Sequence, residues 1–188
     1  YKFHDSFDDR FINFNSQRKV KEYGPQKYNV TFIGTYEEDR FNQLSYLAQN
    51  NIQVDIFGAD WPKNAHQNLK IHSPVFGDDY QKVITSTKIN LIFLRSSNFD
   101  TVTSRSYEIP FFNSFFLAQY SDDHSQLYQN PELLFDSAED LLSKVNLWLA
   151  RKPDYLNDVS REVFENLMML DRSIFSETKQ IIHKINKG

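Results

Sequence analysis

Short apolar runs, each followed by a segment of helical spacing, restrict this chain to few folds. Tyr28–Ile33 and Val54–Phe57 are β-rich and end at Gly34 and Gly58, while Ile89–Leu94 is continuously apolar after Asn90. A run of that kind suits a strand covered on both faces. Ser114–Gln119 reads as a further strand, Leu69–Ile71 as an edge strand and Leu133–Phe135 as a short sixth one. Between the first two runs, Glu37–Asn50 carries Phe41, Leu44, Leu47 and Ala48 at helical spacing. Ser73–Lys88 reads as a loop, a turn at Gly77 and a helix. Ser121–Tyr128 reads as a short helix. Ser137 with Asp140 forms a capping box that opens a helix over Ala138–Ala150. After Pro153, one helix is expected over Tyr155–Leu170 and a last one over Asp171–Lys187. Alternating strands and helices predict an α/β fold, a doubly wound parallel sheet of Rossmann-like form with C-terminal helices. Residues 1–27 read as a lead-in or linker, with Phe7–Phe14 as a short surface helix. Residues 28–170 read as the Rossmann-like domain and 171–188 as a C-terminal helix.

Composition narrows the function. The chain has 188 residues and a net charge of −4, with a pI near 5.7. Nucleic-acid binders present a basic face, so no nucleic-acid partner is expected. Cysteine is absent, which removes disulfides, thiol nucleophiles and Cys-based metal sites. The expected location is cytoplasmic, and no apolar run reaches the ~20 residues of a membrane span. The five histidines show no metal-ligand spacing, so no metal is expected. A P-loop, a dinucleotide fingerprint and a nucleophile elbow are all missing.

The chemistry concentrates in Arg95–Pro110, RSSNFDTVTSRSYEIP. Arg95, Asp100, Thr103, Ser104, Arg105 and Glu108 follow the end of one strand, where open α/β sheets bind ligands. Arginines and backbone N–H groups at a helix start suit an anion, and carboxylates suit sugar hydroxyls. The other reading is a solvated surface loop. Thr103–Ile109 is expected to be a short helix ended by Pro110. On it, Arg105 and Glu108 share a face as i,i+3 neighbours. They form either an intrahelical ion pair or an anion and ribose site.

The run TSRSYEIPFFNSFFLAQYSDDHSQLY resembles the T-x-R-x-FEIPACG-x-F-x-L-x-E signature of the glycosyltransferase group 1-like domain of CgeB-type spore maturation proteins, a bacterial family. That domain is the donor-binding, C-terminal half of a GT-B glycosyltransferase. Asp100 and Glu108, with seven residues between them, resemble the E-x7-E pattern of retaining GT-B enzymes, with Asp in place of the first Glu. Asn113 stands where the family has Gly, and Asn tolerates a left-handed backbone. Arg40 falls where the family has a basic residue after the first Gly loop, here at Gly34. It holds either a phosphate or Glu37. Trp61 and Tyr80 match further family positions. His124 also matches one, although by itself it reads as a surface histidine. Val75 and Phe76 lie in the loop that borders the base in that family; both are either core or base contacts, with core as the default.

The resemblance implies a glycosyltransferase that takes a nucleotide-diphospho-sugar as donor substrate and a glycan or other acceptor. Asp100, Arg105 and Glu108 would be catalytic. Gly34, Arg40, Val75, Phe76, Arg95, Thr103, Ser104, Arg105 and Glu108 would bind the donor. No cofactor is implied, and an N-terminal GT-B domain outside this chain would complete the enzyme. Two alternatives are a non-catalytic relative acting as a nucleotide-binding or interaction module, and a phosphoacceptor receiver domain. The receiver is disfavoured because Asp55 lies inside its strand and no Lys ends the fifth strand.

Overall fold

The computed structural model describes residues 26–63, 65–95 and 99–185, with side chains as far as 169. The expected helix at Phe7–Phe14 lies outside the described residues. The elements are β1 (Tyr28–Ile33), α1 (Glu38–Gln49), β2 (Val54–Phe57), β3 (Leu69–His72), α2 (Gly77–Thr85), β4 (Thr87–Ile92), α3 (Arg105–Phe111), β5 (Phe116–Gln119), α4 (Asp122–Tyr128), a 3-10 turn (Pro131–Leu133), β6 (Leu134–Phe135), α5 (Ala138–Leu149) and α6 (Pro153–Ile185).

All six strands are parallel, in the order β3-β2-β1-β4-β5-β6. This is the doubly wound architecture expected from the alternation. The chain runs from β1 towards β3 in one direction and from β4 towards β6 in the other. Right-handed crossovers therefore put α1 on one face and α2 and α3 on the other. The direction reverses between β1 and β4, so their carboxyl ends frame the crevice where such sheets take ligands.

β4 starts at Thr87, two residues earlier than expected, and stops at Ile92. Asn90 lies inside it and is buried, yet it is fully used. It accepts from Thr31 Oγ1 on β1 (3.2 Å) and donates to the carbonyls of Ile84 and Phe115. A buried amide with partners on three elements fixes register as well as stability. At the C-terminus one helix, α6, replaces the expected pair. No Gly or Pro lies between Pro153 and Gly188, so nothing stops the helix at Asp171. The apolar residues Phe175, Ile181, Ile182 and Ile185 lie beyond the described side chains. α3 and α4 pack on α6, and α1 packs on α5.

The ends of β1 and β2 meet closely. Gly34 N–H donates to the Phe57 carbonyl (2.9 Å), and Trp61 Nε1 donates to the Gly34 carbonyl (2.8 Å). A Cβ on Gly58 would stand 1.8 Å from the Gly34 carbonyl oxygen. That atom is backbone, so the strand ends would have to separate. Gly58→Ala is therefore expected to destabilise the domain by about 2 kcal/mol, read from the urea denaturation midpoint. An unchanged midpoint would contradict this close approach.

Candidate active site at the carboxyl ends of β1 and β4

The site begins with a buried arginine. Arg40, in the first turn of α1, is 5% exposed. Its Nε and one terminal nitrogen donate to the Leu94 carbonyl (3.3 and 3.0 Å), and the other donates to the Thr35 carbonyl (3.4 Å). Its guanidinium lies over the Phe32 ring, 5.6 Å from the centroid, and 3.7 Å from Glu37 Oε2. Both Glu37 and the strand ends therefore engage Arg40. Burial lowers its pKa. Glu37 and Asp100 oppose that shift, while Arg95 and Arg105 add to it. Arg40, Glu37, Arg95, Asp100 and Arg105 thus form one electrostatic cluster at the switch point.

Arg95 reaches back across the crevice. It donates to Thr35 Oγ1 (3.1 Å) and approaches Glu37 Oε1 (3.5 Å). The loop beyond it is pinned at its far side. The Asp100 N–H donates to the Arg95 carbonyl (3.3 Å). Thr101 donates to Asp123 Oδ2 (2.5 Å), and its carbonyl accepts from Ser121 Oγ (2.6 Å).

The loop delivers the chain into α3, which starts at Arg105 and extends two residues past the expected end. Thr103 and Ser104 precede it. The Thr103 N–H is taken by Ser106 Oγ (2.9 Å), and Ser104 is exposed. Pro110 lies inside the helix and cannot donate to the Ser106 carbonyl four residues back. Tyr128 fills that vacancy by donating its hydroxyl to the same carbonyl (2.9 Å). The helix ends at Asn113, with φ of 52°. Asn113 N–H donates to Pro110 and Ser114 N–H to Ile109, the paired bonds of a Schellman ending. The left-handed turn expected at Asn113 is present.

His124 corrects the surface reading. It is fully buried, with Nδ1 2.7 Å from the Gln119 carbonyl and Nε2 2.7 Å from Ser106 Oγ. A carbonyl only accepts, so Nδ1 carries the proton and Nε2 accepts from Ser106. The dyad sits behind α3 and is closed to solvent. Ser106 and His124 are support residues that no spacing rule identifies, because they lie 18 positions apart in the chain.

On the front of α3, Arg105 and Glu108 do not form the ion pair. Glu108 Oε2 accepts from the Tyr80 hydroxyl on α2 (2.5 Å). Burial, followed by the Glu108 charge, pushes the Tyr80 phenol well above its ordinary pKa, so it stays a donor. Arg105 Nε is buried and has no hydrogen-bond partner among the described residues. Of the two loop residues, Val75 packs against the core. Phe76 is 80% exposed, contrary to the core expectation. Gly34 spends both its backbone groups on Phe57 and Trp61 and lies beside the cluster. A separate cavity of about 800 Å³ runs along β3, lined by residues such as Trp61, Lys63, Lys70 and His72. It does not include the charged cluster. The cluster is the better candidate, because it lies at the switch point and holds the unsatisfied cation.

The doubly wound parallel sheet is the fold of GT-B glycosyltransferase domains of known structure. A mutant of the Thermobaculum terrenum O-GlcNAc transferase superposes with a TM-score of 0.58 at 14% identity, over 86% of this chain and 36% of that one. AviGT4, a glycosyltransferase involved in avilamycin A biosynthesis, gives 0.54 at 10%, over 84% and 53%. The C-terminal domain of the glycosyl transferase group 1 family protein LpcC from Francisella tularensis gives 0.53 at 8%, over 77% and 86%. The chain therefore spans about a third and about half of the first two neighbours. The glycosyl transferase-like family model matches residues 39–166, more than half of the chain, and the chain belongs to that family. No curated protein matches it. Among the described residues no helix is long and apolar enough to cross a membrane.

The buried dyad has a pH signature. Burial lowers the folded-state pKa of His124 below 6.5, outweighing the opposing effects of the Gln119 carbonyl and Asp123. The unfolded chain then binds more protons near and below that value. The contribution to stability is complete above about pH 6.5 and is lost as pH falls through the lowered folded value. Urea denaturation between about pH 7.5 and about pH 5 should show this fall, and His124→Asn should flatten it. Equal slopes in the two proteins would remove His124 as the cause.

Proposed function

We propose that this domain binds a nucleotide-diphospho-sugar across the carboxyl ends of β1 and β4, and that it is the donor half of a CgeB-like, cytoplasmic glycosyltransferase. Sugar transfer to a glycan or other acceptor would be completed by an N-terminal GT-B half. The Arg105–Glu108 face of α3 carries this reading. Among the described residues its guanidinium Nε is buried without a partner, and its carboxylate has only Oε2 engaged, by Tyr80. The neighbouring Arg40 and Arg95 are already held by protein groups. In this reading Arg105 takes the diphosphate, Glu108 takes the ribose hydroxyls, and Asp100 approaches the sugar. Val75 and exposed Phe76 border the base, and Arg95 with the Thr103–Ser104 turn lies along the phosphates. Negative charge grows on the leaving diphosphate as the glycosidic bond breaks. A cation held in place before that moment stabilises the transition state without reorganising.

Titration calorimetry with UDP, GDP, ADP and CMP tests the assignment. One nucleotide should bind the wild-type chain. Arg105→Ala and Glu108→Ala should each weaken it by about tenfold or more, with unfolding temperatures close to wild type. Unchanged affinity in both variants would remove the pair from the site. No binding by the wild-type chain would favour a non-catalytic interaction module.

A further inference from the structure

Tyr80 stands outside every role assigned above, yet it makes the only hydrogen bond to the Glu108 carboxylate among the described residues. Its hydroxyl lies 2.5 Å from Oε2. Its ring meets Phe112, the residue capping α3, edge-on at 6.3 Å. Phenol and ring together therefore clamp α2 to α3. α2 begins directly after Val75 and Phe76, and the Tyr80 N–H closes its first turn on the Phe76 carbonyl (3.3 Å). One residue thus ties the loop assigned to the base to the carboxylate assigned to the ribose.

We propose that Tyr80 is a positioning residue: by holding Oε2, it turns the remaining oxygen of Glu108 towards the vicinal hydroxyls of a ribose and sets the domain's preference for ribonucleotides. This rests on the donor-site reading. A carboxylate offers about four lone-pair sites over two oxygens. With one of these taken by the Tyr80 hydroxyl, the orientation of the carboxylate is fixed and Oε1 keeps its lone pairs for a ligand. Without the phenol, the Glu108 side chain regains rotamer freedom and must be ordered again by each ligand.

The test compares UDP, GDP and ADP with their 2′,3′-dideoxy analogues, by calorimetry on wild type, Tyr80→Phe and Glu108→Gln. Tyr80→Phe keeps the ring against Phe112 and removes only the hydroxyl. The wild-type chain should prefer the ribonucleotide. In Tyr80→Phe that preference should fall by about tenfold, with affinity for the dideoxy form nearly unchanged; Glu108→Gln should also reduce it. A merely structural Tyr80 would weaken both ligands equally and keep their ratio. A preserved ratio therefore overturns the proposal while leaving the donor site standing. A wild-type chain that binds both forms equally removes the ribose role of Glu108, and this proposal with it. A wild-type chain that binds no nucleotide overturns the donor-site reading itself.

Discussion

The crevice depends on how one guanidinium is held where two strands part. A buried charge is costly unless it is paired and hydrogen-bonded. Arg40 meets that condition with the carbonyls of Leu94 and Thr35, the residues that follow β4 and β1. Those carbonyls lie beyond the sheet ladder, and Arg40 supplies them with donors. Arg40 therefore satisfies the open end of the sheet at the point where the chain direction reverses. It also fixes the separation of the two loops that border the crevice. Glu37 supplies the counter-charge and reaches Arg95 on the opposite wall.

From that anchored end, the chain must present a helix of only seven residues. Such a helix has little stability of its own, so tertiary contacts hold it. Tyr128 takes the carbonyl that Pro110 leaves open, and His124 takes the Ser106 hydroxyl. Thr101 is tied to the start of α4. These partners all stand behind α3 or at its entrance, which leaves its front to Arg105, Glu108 and Tyr80. Buried polar groups support one face, and Arg105 and Glu108 stand on the opposite one.

The sheet was legible because strand burial leaves a local trace, a short apolar or β-rich run, which in β1 and β2 ends at a glycine. The parallel arrangement followed from the alternation of strands and helices, the strand order came only with the structure, and charge concentrated in one stretch pointed to the end of β4. What escaped was set by distance in the chain. Nothing near His124 announces that Ser106 lies against it, so an isolated histidine among acids reads as surface. Tyr80 and Glu108 are 28 positions apart, and an i,i+3 rule offers Arg105 as the partner for Glu108 instead. The expected break at Asp171 had no Gly or Pro behind it, and α6 runs through that position. For Phe76 apolarity alone made the core the default, beside the base-contact reading. Its place, between the end of β3 and the start of α2, leaves it on the rim.

The three arginines show why residue type overstates a binding site. Each lies near the same strand ends, and composition weighs them equally as anion ligands. Their surroundings separate them. Arg40 spends its donors on two backbone carbonyls and is buried. Arg95 is partly exposed and spends a donor on Thr35, with Glu37 beside it. An anion competing for Arg95 would have to displace an interaction that already exists. Of the three, Arg105 alone has a buried Nε without a partner among the described residues. An unmade hydrogen bond to a charged group costs about 1–3 kcal/mol or more, and a ligand that makes it recovers that energy. The affinity of this crevice for an anion should therefore concentrate on Arg105, with Arg40 and Arg95 holding the walls apart.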